Sequence, residues 1–268
     1  MSASLPYHSA PRALLAELDR RQPLLARLGW AALAVLLLCL VAMAVDPRGF
    51  DGVSVWVKPA KFAASFVVWF WTLAWAWGVL APEVARGGIA RLVVAGTVAA
   101  SLFEQGWITW RAALGGPSHF ATDALGAFMY GLMGLGALTL VGLAALLGLL
   151  VLRRPRQGVE RAWVLAIGLG LLLGGMLGGF TGAAISVSGS PYIGGAASNA
   201  GGLPPFFWSR DSGDLRIAHF LGIHAMQTLP LLALLGAGAR AVSLAAAGWA
   251  ALTLAVFALA LRGVPLSL

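Results

Sequence analysis

Charge is what this chain of 268 residues has least of: Asp, Glu, Lys and Arg together make up 10% of it. A soluble domain carries about 25%, so the chain cannot coat a globule of its size with ionised groups. Cysteine is nearly absent too. Cys39 stands alone, which excludes a disulfide scaffold. Hydrophobic residues at 60% and a mean hydropathy of +0.87 leave no room for disorder. Also missing are HExxH, CxxCH, a phosphate-binding loop, a Ser-His-Asp arrangement, a paired-carboxylate glycosidase pattern and any lipidation signal. No reaction class follows from motifs.

What is present is a series of long apolar runs. A membrane helix needs roughly 20 such residues to cross about 30 Å of hydrocarbon. Residues 28–45, 62–80, 92–110, 123–152, 162–186, 215–236 and 241–261 qualify. Transmembrane strands alternate apolar and polar residues, and these runs are continuous. The expected fold is therefore all-α, a polytopic transmembrane helix bundle of about seven spans. Its expected organisation is a basic interfacial segment over 1–27 followed by one transmembrane domain over 28–268. In the former, Leu14, Leu15, Leu18, Leu24 and Leu25 alternate with Arg12, Arg20, Arg21 and Arg27, broken at Pro23. Ala42-Met43-Ala44 imitates a signal-peptide cleavage site. The preceding segment is long and contains Glu17 and Asp19, however, so the first run is read as a retained helix.

Arginine concentrates in the N-terminal segment and in every second loop, notably Arg153-Arg154-Pro155-Arg156. That pattern places the N-terminus in the cytoplasm. The net charge of +8 is then mostly a topology signal, and no nucleic-acid partner is implied.

On this topology the outer loops, 46–61, 111–122 and 187–214, are long and chemically rich, and the cytoplasmic ones are short and plain. Lys58, Lys61, Ser65 and Thr72 fall within one helical stripe, as do Thr97, Ser101, Glu104 and Arg111. Both stripes are expected to face the bundle interior, because charge toward lipid costs several kcal/mol. Glu104 lies about 10 Å inward of Arg111 by helical rise. An intramembrane carboxylate marks a functional candidate, with an interhelical ion pair as the structural alternative. In the sixth run His219 and His224 sit roughly 7 and 15 Å below Asp214, and Gln227 shares a face with His224. His119 stands where the fourth run begins.

Three readings follow. In the first, Lys58, Lys61, Glu104, Arg111, Arg216 and Gln227 form an outward-facing vestibule that binds or transports a small anionic or lipid-like ligand, with proton relay through Glu104 and histidine. In the second, His119, His219 and His224 hold haem or a transition metal. Five-residue spacing puts His219 and His224 on different faces, so they make no one-face metal pair. In the third, Gly170, Gly174, Gly178 and Gly182 form a small-residue face for a partner helix, as in an accessory subunit of a membrane complex.

The strings Trp56-Val57-Lys58-Pro59-Ala60-Lys61-Phe62, Pro117-Ser118-His119-Phe120 and Gly213-Asp214-Leu215-Arg216, the last continuing to His219-Phe220, Gly222, His224 and Gln227, resemble those of a group of bacterial multi-pass membrane proteins. The resemblance covers the second to sixth runs. It implies a multi-pass protein of the bacterial inner membrane; the group has no assigned activity, so it implies no substrate and no site.

Overall fold

A computed structural model describes residues 11–121 and 123–265, with side chains from Leu15 onward. Part of the expected interfacial segment, residues 1–10, lies outside the described residues. The chain then runs α1 (Pro11–Arg21), α2 (Pro23–Val45), a hairpin of β1 (Gly49–Phe50) and β2 (Val53–Ser54), α3 (Val57–Trp77), the single turn α4 (Pro82–Ala85) and α5 (Gly88–Ala113). After these come α6 (Ala124–Arg153), α7 (Arg161–Val187), β3 (Tyr192–Ile193), β4 (Gly213–Asp214), α8 (Leu215–Leu234) and α9 (Ala239–Leu261). β3 and β4 pair antiparallel and close the long α7–α8 connection at its base. The architecture is an all-α polytopic bundle.

Local chemistry explains the helix boundaries. Gln22 accepts the backbone N–H groups of Leu24 and Leu25 on its side chain, and Pro23 occupies the first helical position, so α1 stops and α2 starts there. Asp123 caps α6 by accepting Gly126 N at 2.8 Å, and Asp214 caps α8 by accepting Arg216 N at 3.0 Å.

Six helices, α2 and α5 to α9, are long and apolar enough to cross a membrane. The remaining expected span, α3, is 21 residues long but does not reach that hydropathy. Its tryptophans, lysines and Pro59 dilute the apolar residues. Its ends nevertheless meet opposite ends of the bundle. Near the start, Lys61 donates to Phe206 O in the α7–α8 connection at 3.1 Å. At the far end, Arg21 donates to Trp75 O at 2.8 Å, and Arg156 N in the α6–α7 turn donates to Val79 O at 2.7 Å. α3 therefore runs the full depth between a loop-rich end and an arginine-turn end.

The packing centres on α7, which lies against α6, α8 and α9. Glycine permits the approach. A Cβ on Gly170 would stand 2.9 Å from Ala225 O, and one on Gly174 2.9 Å from Ile223 O. Gly178 and Gly182 face Ile223 and the His219 ring. The four glycines, which the third reading offers to a partner helix, lie against α8 of the same chain. On the other side Gly175 faces Val141 O and Gly148 faces Gly168 O, which seats α6. Lower in the bundle Phe66, Phe70, Leu73, Val93, Leu140, Leu171, Met226 and Leu229 form a continuous apolar core. Leu37, Leu38, Val41, Phe128 and Leu135 point outward, as side chains facing lipid do.

Candidate functional site

Each expected ligand-binding residue now has surroundings. Arg216 is fully engaged. It bonds both oxygens of buried Asp214 at 2.8 and 2.6 Å, Asn199 Oδ1 at 2.7 Å and Phe207 O at 2.9 Å, and its guanidinium lies over the Tyr192 ring at 4.6 Å. Asn199 in turn donates to Asp51 at 2.6 Å, and Ser198 donates to the same carboxylate at 2.8 Å. This network ties the α2–α3 hairpin to the α7–α8 connection. Burial pushes the Tyr192 phenol up to about 12, so it stays neutral. Arg111 is likewise occupied, donating to Pro117 O at 2.9 Å and approaching Asp123 at 3.5 Å. Both arginines thus hold loops.

The lysines differ. Lys61 donates once, to Phe206 O. Lys58 makes no hydrogen bond to a described residue; Lys61, Arg216 and Glu104 are the charges that act on it. Lys58 itself is half-buried. Glu104 is 2% exposed, and its Oε1 has no hydrogen-bond partner. That oxygen is held against α6, where a Cβ on Gly136 would stand 2.7 Å away. Gln227 donates to Thr72 Oγ1 at 2.9 Å, leaving its own Oε1 unpartnered.

Three further buried polar atoms without a partner, Trp69 Nε1, Thr97 Oγ1 and Gln105 Oε1, lie on α3 and α5. Gln105 escapes a stripe analysis because it sits one residue off the Glu104 face, yet it reaches Pro59 O on α3 at 3.3 Å. A buried polar atom without a partner costs about 1–3 kcal/mol. The concentration of such atoms on α3, α5 and α8 is what distinguishes this region.

The inward stripe on α5 is as expected, with Thr97, Ser101 and Glu104 buried. On α3, Ser65 is instead exposed. α3 and α8 touch only sparsely along this stretch.

The histidines are dispersed. His219 meets Thr181 Oγ1 at 3.2 Å on α7, and His224 stacks on Phe220 with its Nδ1 2.7 Å from Phe220 O. His119 meets Ser118 Oγ at 3.1 Å and lies against the rings of Phe62 and Tyr130. Burial first, and the Lys58 charge second, hold the His119 imidazole well below its ordinary range. Among the described residues no three of His, Cys, Asp and Glu come together as metal ligands would. His119, His219 and His224 therefore do not form the joint centre expected for a metal.

At the arginine-turn end a groove of about 550 Å³ is lined by Glu83, Arg153, Arg154 and Arg156. These arginines are exposed, and none of the unpartnered buried polar atoms lies there. No known protein family, curated protein or solved structure matches the chain.

Proposed function

We propose that this membrane protein binds a small anionic or lipid-like ligand at its loop-rich end, between α3, α5 and α8, with Lys58 as the primary anchor. One observation carries the reading: a half-buried lysine beside a second cation, with no hydrogen bond to a described residue. An interior cation without a partner is costly, and an anion placed there offsets that cost. Lys61 keeps two donors beyond its bond to Phe206 O and serves as the second anchor. Glu104, buried beside the site, provides a place for a proton moving with the ligand. Arg216 and Arg111 act indirectly, by fixing the loops that roof the site.

In this reading the arginine-turn end faces the cytoplasm of a bacterial inner membrane and the site opens outward, in line with the arginine distribution. The test is a thermal-stability titration of detergent-purified protein with phosphate, short carboxylates and an anionic lipid, alongside Lys58→Met. Stabilisation by at least one anion in the native protein, lost in Lys58→Met, is the expected result. A native protein that responds no more than the variant to every anion overturns it.

A further inference from the structure

We propose that the ligand is a single-chain anionic amphiphile that reaches Lys58 and Lys61 sideways from the lipid, through the cleft between α3 and α8. This rests on the anion-binding reading above and specifies its ligand class and route.

Helix α8 commits most of its surface elsewhere. Gly222 packs on Leu177 of α7, and Leu221 O accepts the indole N–H of Trp249 on α9 at 2.8 Å. The face that remains carries Phe220, His224, Gln227 and Leu231, one above another at helical spacing. It turns to α3, yet among the described residues the one side-chain bond between the two helices is Gln227 to Thr72. The next tie is near the loop-rich end, where Lys61 meets Phe206 O. Lys61 and Thr72 are about 16 Å apart along α3. Between them Ser65 and Val68 are exposed, and across the gap Phe220 and His224 are half-buried.

The chemistry along this cleft changes in one direction. At the top stand two cations, roofed by Phe206, which packs on Trp208 and Phe220 at 4.9 Å each. In the middle lie a hydroxyl, an imidazole and an amide, with Gln227 Oε1 unpartnered. At the bottom Leu231 is 55% exposed. Among these polar side chains Ser65 is exposed, and a polar group bordering lipid is costly, so a seam that leaves it open is maintained by what fills it. Charge, then hydrogen-bonding groups, then hydrocarbon is the sequence an anionic amphiphile presents from head to tail. A free inorganic anion would use only the top of the cleft.

Inorganic phosphate and dodecyl phosphate, titrated separately into the full chain in a neutral maltoside detergent, test this. Dodecyl phosphate is expected to bind at least tenfold more tightly, because each buried methylene strengthens binding by about fourfold. Val68→Trp, which fills the cleft from an exposed position, should remove that advantage and leave phosphate affinity unchanged. Ser65→Leu provides a second filler should the tryptophan disturb folding. Lys58→Met should weaken both ligands. Equal affinities, or an advantage that survives both fillers, would overturn the amphiphile while leaving the anion site standing. If neither ligand binds the native protein, both readings fall.

Discussion

Along α7, α8 lies so close that a Cβ added at Gly170 would meet two backbone atoms, Ala225 O at 2.9 Å and Met226 Cα at 3.1 Å. Along α3 the same helix makes one amide-to-hydroxyl bond and leaves Ser65 and Val68 uncovered. Both seams are helix against helix, and both join the same apolar core lower down. The difference lies in residue size and polarity. Glycines at every fourth position let two backbones touch and exclude lipid, which is the main source of helix association where no water drives it. Lysine and glutamine cannot pack that way, and facing lipid they cost energy. A polypeptide that only needed to hold α8 in place would use the first kind of seam twice. The second kind is therefore where a ligand is expected.

The sharpest way to break this contrast is to put the same side chain into each seam. Gly170→Leu forces carbons into backbone atoms that cannot move aside, and should cost about 3 kcal/mol or more, the upper end for overpacking. Ser65→Leu, on the open seam, should cost less than about 1 kcal/mol, as surface substitutions do. Melting of the two purified variants in one detergent checks this. Equal losses would mean that the α3–α8 seam is as closely packed as the glycine seam.

A smaller effect is expected at Glu104, the one place where the polar region is tightly packed. The Cβ of Gly136→Ala would fall 2.7 Å from Glu104 Oε1, so the carboxylate must turn aside and that variant should lose at most about 1 kcal/mol. In a Glu104→Ala background most of the loss should disappear, because the two positions share one contact. An undiminished cost in the double variant would show that Gly136 is needed for backbone reasons and not to hold the carboxylate.

Much of this was legible in the sequence. Continuous apolar runs located the spans, and Pro23 marked the break between α1 and α2 because its chemistry is local. Stripe geometry found the buried face of α5 and put Lys58, Lys61, Glu104 and Gln227 among the site candidates. The clamp formed by Asp51, Ser198, Asn199, Asp214 and Arg216 was not legible, since it depends on how two loops far apart in sequence fold back on each other. For the same reason the partners of Arg216 and Arg111 within their loops were not legible. The glycine face was recognisable as a packing surface, but its occupant was not, because spacing alone does not distinguish a helix of the same chain from one of another. Gln105 and Trp69 carry no sequence mark; only the absence of a partner in three dimensions identifies them.

The smallest effect concerns protons, and it separates the two regions again. The glycine seam along Gly170 and Gly174 carries no titratable group, whereas the polar region has His119 at its margin, against Phe62 of α3 and Tyr130 of α6. Burial and Lys58 favour the neutral imidazole in the folded protein, while an unfolded histidine titrates near 6.5. Below that pH the unfolded chain binds a proton that the folded chain does not, so stability falls as pH falls, at up to about 1.4 kcal/mol per pH unit until the folded imidazole also titrates. Above about pH 6.5 this contribution is fully present. Melting temperatures at pH 7.5, 6.5 and 5.5 should therefore decline for the native protein, and the decline should be shallower in His119→Asn, which keeps a hydrogen-bonding side chain near Ser118. A decline of equal slope in the variant would place the acid sensitivity elsewhere and remove His119 from the polar region's account. A shallower one would mean that the margin of the site stays neutral through the physiological range, leaving Lys58 and Lys61 as the charges a ligand meets.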